Sequence, residues 1–121
     1  MRAEVYGIPN CETVKKALAW LGKHQVDVEF HDFKKEGLSA QKVKAWLKHA
    51  DWTQLLNRSG MTWRRLDEET KASITTAAAA TQLMCEQPSI VKRPVIEYGA
   101  KLMLGFDPQH YAENFGKMNA K

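Results

Sequence analysis

Cys11 is the side chain in this sequence best placed for chemistry, and its neighbours say what kind. It stands in Tyr6-Gly7-Ile8-Pro9-Asn10-Cys11-Glu12-Thr13-Val14-Lys15-Lys16, where a short apolar run gives way to a helical pattern. A thiol on a strand-to-helix turn lies at the positive end of the helix, where the dipole and unpaired N–H groups favour thiolate over thiol. The thiolate is the nucleophilic form of cysteine. Lys15 and Lys16, in the next turn, add charge of the same sense. Asn10, Glu12 and Thr13 make the surroundings polar, unlike those of a cysteine that only fills a core. The chemistry expected is attack by a thiolate on an oxidised sulfur or a tetrahedral oxyanion.

Two arginines could hold the anionic part of such a substrate. Arg58 stands in Asn57-Arg58-Ser59-Gly60 and Arg93 in Lys92-Arg93-Pro94-Val95-Ile96. A guanidinium presents paired N–H donors that match a carboxylate or oxyanion. On residue type alone, a solvated surface position accounts for each equally well. The second cysteine, Cys85 in Leu83-Met84-Cys85, falls near a helix end and reads as structural. His24, His31, His49 and His110 show no metal-ligand spacing, so no metal is expected. Trp20, Trp46, Trp52 and Trp63 are spread over the helical segments and read as packing groups, not as a stacking platform for bases.

The elements that must position Cys11 form a strand–helix–strand unit. Ala3–Ile8 is the first strand. Glu12–Gly22 carries Val14, Ala17, Leu18 and Leu21 on one helical face, and Gly22 is a stop signal. Val26–Phe33 alternates as a half-buried strand. Two strands joined through a helix are expected to be parallel. The middle is helical: a helix capped by Ser39 with Val43, Trp46 and Leu47 on its apolar face, a short turn Trp52–Leu56 capped by Asp51, a loop over Asn57–Gly60, and an alanine-rich helix over Thr75–Glu86 ended before Pro88. Val95–Tyr98 and Lys101–Phe106 around Gly99-Ala100 predict an antiparallel hairpin. Asp107-Pro108 opens a last helix, with Tyr111 and Phe115 facing inward.

The chain has 121 residues, enough for one domain with a single core. Hydrophobic residues at 44% and charged residues at 26% are those of an ordinary globular protein. No segment approaches the length of a membrane span, and Met1-Arg2-Ala3-Glu4-Val5 contains no signal-peptide core, so a cytoplasmic protein away from membranes is expected. A Cys11–Cys85 disulfide is not the default there. The net charge of +4 is mild and scattered, compatible with a small anionic ligand and weak support for nucleic acid.

Pro9-Asn10-Cys11, Asn57-Arg58-Ser59-Gly60 and Lys92-Arg93-Pro94-Val95-Ile96, in that order and at these separations, resemble the glutaredoxin-coupled arsenate reductases and the Spx-type regulators related to them. The closest likeness is to that family's small branch of glutathione-dependent thiol reductases. The resemblance covers nearly the whole chain. It implies an α/β, thioredoxin-like fold, a βαβ…ββα mixed sheet with an inserted helical subdomain. The thioredoxin-like parts would be about 1–36 and 88–121 of a single domain, and the insertion about 37–87. It implies Cys11 as nucleophile, Arg58 and Arg93 as binders of the anionic substrate, and Pro94 as a cis-proline facing the nucleophile. Asn10 and Thr13 join Arg58, Arg93 and Pro94 as the residues expected to contact substrate or glutathione.

Two departures bear on activity. The third arginine of the arsenate reductases falls on Leu104, and their small hydroxyl residue three after the nucleophile is here Val14. Fewer oxyanion donors weaken arsenate recognition. Val14 also excludes the C-x-x-C pair of the Spx-type regulators. The expectation is a monothiol oxidoreductase with no bound cofactor, whose mixed disulfide is resolved by an external thiol, most simply glutathione, with glutaredoxin a possible partner. The alternatives are arsenate reduction proper and Spx-like binding of RNA polymerase.

Overall fold

The computed structural model describes residues 2–116. The chain divides into two compact units, Met1–Asp32 with Arg93–Lys121, and Phe33–Lys92.

The first unit is a four-stranded mixed sheet with helices. Strand β1 (Arg2–Gly7) runs parallel to β2 (Asp27–Asp32), and the connection is helix α1 (Glu12–Lys23). Later in the chain, β3 (Val95–Tyr98) lies antiparallel to β1, and β4 (Lys101–Leu104) antiparallel to β3, giving the order β2-β1-β3-β4. This is the α/β arrangement expected of a thioredoxin-like fold. The hairpin turns at Gly99, whose φ of +61° suits a residue without a Cβ.

The period of each segment decides which face it buries. Along β1, Ala3 and Val5 point to one side, and on α1 the buried residues Val14, Ala17 and Leu21 recur at helical spacing. Ala3, Val5, Ala17, Leu21, Ile96, Tyr98, Met103, Tyr111 and Phe115 form one core cluster. Burying a side chain such as Leu21 contributes about 1.5–3 kcal/mol. The last helix, Pro108–Tyr111, starts as expected: the Asp107 carboxylate accepts from the backbone N–H groups of Gln109 and His110, and Pro108 takes the first turn. It continues as a wider turn, Ala112–Gly116, that places Phe115 in the core.

The second unit is helical. It contains α2 (Phe33–Glu36), α3 (Ala40–Trp46), α4 (Trp52–Leu55), α5 (Met61–Arg64), α6 (Glu68–Ser73), α7 (Ala77–Glu86) and a 3-10 turn, Pro88–Ile90. Polar caps set the starts: Ser39 Oγ accepts from Lys42 N–H, Thr76 Oγ1 from Ala79 N–H, and Asp67 from Thr70 N–H. At α4 the Asp51 N–H donates to Gln54 Oε1. Helices α3 and α7 pack together, and an isolated bridge joins Leu56 to Val91.

Several boundaries differ from the sequence reading. Phe33, read as the end of the second strand, begins α2, and Phe106 lies past the end of β4. Helix α1 runs through Gly22 to Lys23, with His24 closing it. Helices α5 and α6 were not anticipated; neither buries a residue, so neither shows an apolar stripe. No helix among the described residues is long and apolar enough to cross a membrane.

Candidate functional site

Cys11 is the N-cap of α1. Its backbone is extended (φ −142°, ψ 123°), its carbonyl accepts the first helical bond from Lys15 N–H at 2.9 Å, and its side chain makes no capping bond. The half-buried thiol therefore stands at the helix N-terminus without being consumed as a cap. Asn10 before it and Thr13 after it are exposed. The lysine expected to reinforce the positive end is partly engaged: Lys15 Nζ lies 3.9 Å from Glu12 Oε1, both groups being solvent-exposed.

The turn carrying Cys11 leaves the sheet where β3 enters it. Tyr6 pairs with Val95 and Val95 with Leu104, so Gly7, Pro94 and Leu104 belong to the same end of the sheet. The Arg93–Pro94 peptide is cis, as the resemblance implied, and the Pro94 carbonyl accepts from Gly105 N–H at 2.9 Å. Pro94 is buried and Arg93 half-buried. The close packing here depends on Gly7. A Cβ at that position would lie 2.9 Å from Val14 Cγ2 and 3.9 Å from Arg93 Cβ. Val14, where the resemblance expects a small hydroxyl residue, is thus a fully buried packing group set against Gly7. Leu104, where the resemblance expects an arginine, is a half-buried apolar residue opposite Val95.

Arg58 belongs to the helical unit. Its loop is tied down by Asn57, whose N–H donates to the Ile90 carbonyl at 2.8 Å and whose Oδ1 accepts from Ser59 N–H at 3.2 Å. Gly60 closes the turn because a Cβ there would meet Asn57 Nδ2 at 2.9 Å. The exposed Arg58 guanidinium lies over two indoles, 5.5 Å from the Trp52 ring centre and 5.7 Å from that of Trp63. These two tryptophans are therefore not simple packing groups as the sequence suggested, whereas Trp46 is fully buried. Neither Arg58 nor Arg93 has a carboxylate partner among the described residues. The available signal was the placement of one tryptophan six residues before Arg58 and another five after it.

Two other groups complete the inventory. Cys85 is half-buried, and burial followed by the adjacent Glu86 pushes its thiol up. It lines a groove of about 640 Å³ with Ala40, Lys44, Leu47 and Thr81. His31 meets Glu4 and Glu29, three potential metal ligands within 4.8 Å of one another that spacing along the sequence could not reveal. Both carboxylates already pair with Arg2. Glu4 bonds His31 Nε2 at 2.7 Å and Arg2 Nε at 2.8 Å, and Arg2 Nη1 reaches Glu29 at 2.8 Å. Tyr6 stacks on His31 and donates to Glu97. This cluster reads as a structural ion-pair network.

The chain as a whole is similar to several known proteins. The model of the ArsC family matches residues 6–114. An arsenate reductase (ArsC) related protein from Brucella melitensis is 50% identical, with a TM-score of 0.75 over 95% of both chains. A solved protein named YffB is 42% identical, with a TM-score of 0.87 over 92% of this chain and 96% of its own. The global transcriptional regulator Spx of Streptococcus pyogenes is 25% identical over 101 residues, 82% of this chain and 74% of that protein.

Proposed function

The chain belongs to the ArsC family, and on that premise we propose that it is a monothiol thiol–disulfide oxidoreductase that uses glutathione, with Cys11 as nucleophile. The single observation carrying this reading is the thiol itself, held at the N-terminus of α1 and left unbonded by the helix it caps. The family supports a thiol-based reductase; the choice of glutathione rests on Val14, which leaves no C-x-x-C pair, and on Cys85, the other cysteine of the sequence, reading as structural.

In the first step the Cys11 thiolate attacks the glutathionyl sulfur of a mixed disulfide. A Cys11–glutathione disulfide forms, the original S–S bond breaks, and the substrate leaves as a thiolate that takes a proton from solvent. In the second step a glutathione thiolate attacks the glutathionyl sulfur of this adduct. Glutathione disulfide is released and the Cys11 thiolate is restored. The attacking glutathione sulfur goes from thiol to disulfide, the substrate sulfur goes from disulfide to thiol, and the transferred glutathionyl sulfur stays at the disulfide level, so the electrons balance. Arg93 holds a carboxylate of the glutathionyl group, and Arg58 is proposed as a second donor to the same anionic substrate. Asn10 and Thr13 contact it from the turn, and Pro94 offers backbone to the incoming sulfur. Cys85 takes no part.

A coupled assay tests this: glutathione, glutathione reductase, NADPH and a glutathionylated small thiol. Turnover in the wild type that vanishes in Cys11→Ser is the expected result, and retained turnover in that variant would refute it. The similarity to Spx supports a second reading, a partner-binding regulator. Val14 removes the paired-thiol switch from that version, and stoichiometric recovery of RNA polymerase subunits with the tagged protein would favour it. Arsenate reduction proper is the third. With Leu104 in place of a donor, arsenate-dependent NADPH oxidation is expected to be slow.

A further inference from the structure

We infer that Trp52 and Trp63 are positioning residues that hold the Arg58 guanidinium ready for the substrate's anionic group. The inference rests on the proposed role of Arg58 and assigns a role to two residues that reading leaves unused.

The geometry differs from that of an ordinary surface arginine. Such a side chain has several free torsions, and binding an anion must freeze them. Arg58 is exposed, yet its guanidinium carbon lies over both indoles, each within the roughly 6 Å at which a ring attracts a cation. The rings are carried by two different helices, α4 and α5, on either side of the loop. The loop itself is fixed by the Asn57 bonds and by Gly60. Backbone and side chain are thus both restrained before any ligand arrives.

The choice of rings over a carboxylate has a chemical consequence. An acidic partner would occupy the N–H donors and cancel the charge. Indole faces attract the cation without accepting its N–H bonds, and Arg58 has no acidic partner among the described residues. Its donor edges and its full charge remain available to an incoming carboxylate. Lysine could not substitute, because a strongly hydrated ammonium neither stacks nor presents a fork.

The test uses S-methylglutathione, which carries the glutathione carboxylates and no free thiol, and measures its Kd by calorimetry for the whole protein. Trp52→Leu and Trp63→Leu are each expected to raise Kd roughly two- to fivefold, while Trp52→Phe and Trp63→Phe retain most of the affinity. In an Arg58→Gln background the leucine substitutions are expected to have no further effect, because the rings act through the guanidinium. Leucine effects of equal size with and without Arg58 would indicate a general structural role and overturn the inference. So would unchanged Kd in the leucine variants while Arg58→Gln weakens binding, which leaves the proposed function standing. Failure of the wild type to bind, or an Arg58→Gln variant that binds normally, would remove both the inference and the role proposed for Arg58. Far-UV circular dichroism of every variant guards against misfolding. Should a leucine variant fail to fold, the nitrogen-15 NOE of Arg58 Nε decides. An ordered Nε in wild type and the phenylalanine variants supports the inference, and a freely mobile one in the wild type overturns it.

Discussion

Burial and the adjacent Glu86 push the Cys85 thiol up, whereas Cys11 caps a twelve-residue helix and makes no bond of its own to it. The two thiols should therefore separate by reactivity. Iodoacetamide at neutral pH is expected to modify Cys11 first, as read by peptide mass spectrometry, and Cys85→Ala is expected to leave turnover unchanged. Arg93 stands beside the end of β1 and has no acidic partner among the described residues. If it holds a substrate carboxylate, Arg93→Gln loses a charged hydrogen bond of about 1.5–3 kcal/mol, so kcat/KM falls about ten- to a hundredfold. At this scale the sequence offers Cys11, Arg58 and Arg93 as candidates, but not their surroundings. That Arg58 lies over two indoles depends on where α4 and α5 set their rings, which spacing does not encode.

The strands and the capped helices were largely legible because their signals are local. Ser39, Asp51 and Asp107 marked helix starts that the structure contains, and replacing Ser39 by alanine is expected to cost about 1 kcal/mol in urea unfolding. Helices α5 and α6 escaped because no buried residue marks a face on either. The dependence of Val14 on Gly7 was equally hidden, since it arises only when α1 is laid on β1. Gly7→Ala would place a methyl group 2.9 Å from Val14 Cγ2. The expected loss is about 1–3 kcal/mol. Val14→Ala in the same chain should recover part of it, a coupling that two independent defects would not show.

Across the whole molecule, the pairing of β1 with both β2 and β3 is long-range information: Tyr6 meets Val95 across most of the sequence. The same pairing gathers Arg2, Glu4, Glu29 and His31, and it has a consequence for pH. The hydrogen bond from His31, and then that from Arg2, hold the Glu4 carboxyl below its usual range. A depressed carboxyl contributes stability that is present above its unfolded value, about pH 4.3, and lost as the pH falls through the lower folded value. Glu4→Gln should therefore be less stable than wild type near pH 6, and the two should converge as the pH falls below about 4. Convergence on raising the pH instead would contradict this sign. The central claim is that Cys11 forms and releases a glutathione adduct, and intact-protein mass spectrometry tests it most directly. The protein is mixed with glutathione disulfide, then with excess glutathione, in a Cys85→Ala background. The account predicts one glutathionyl group on Cys11, gained in the first mixing and lost in the second. A Cys11 that acquires no adduct, or an adduct that glutathione does not remove, would contradict it.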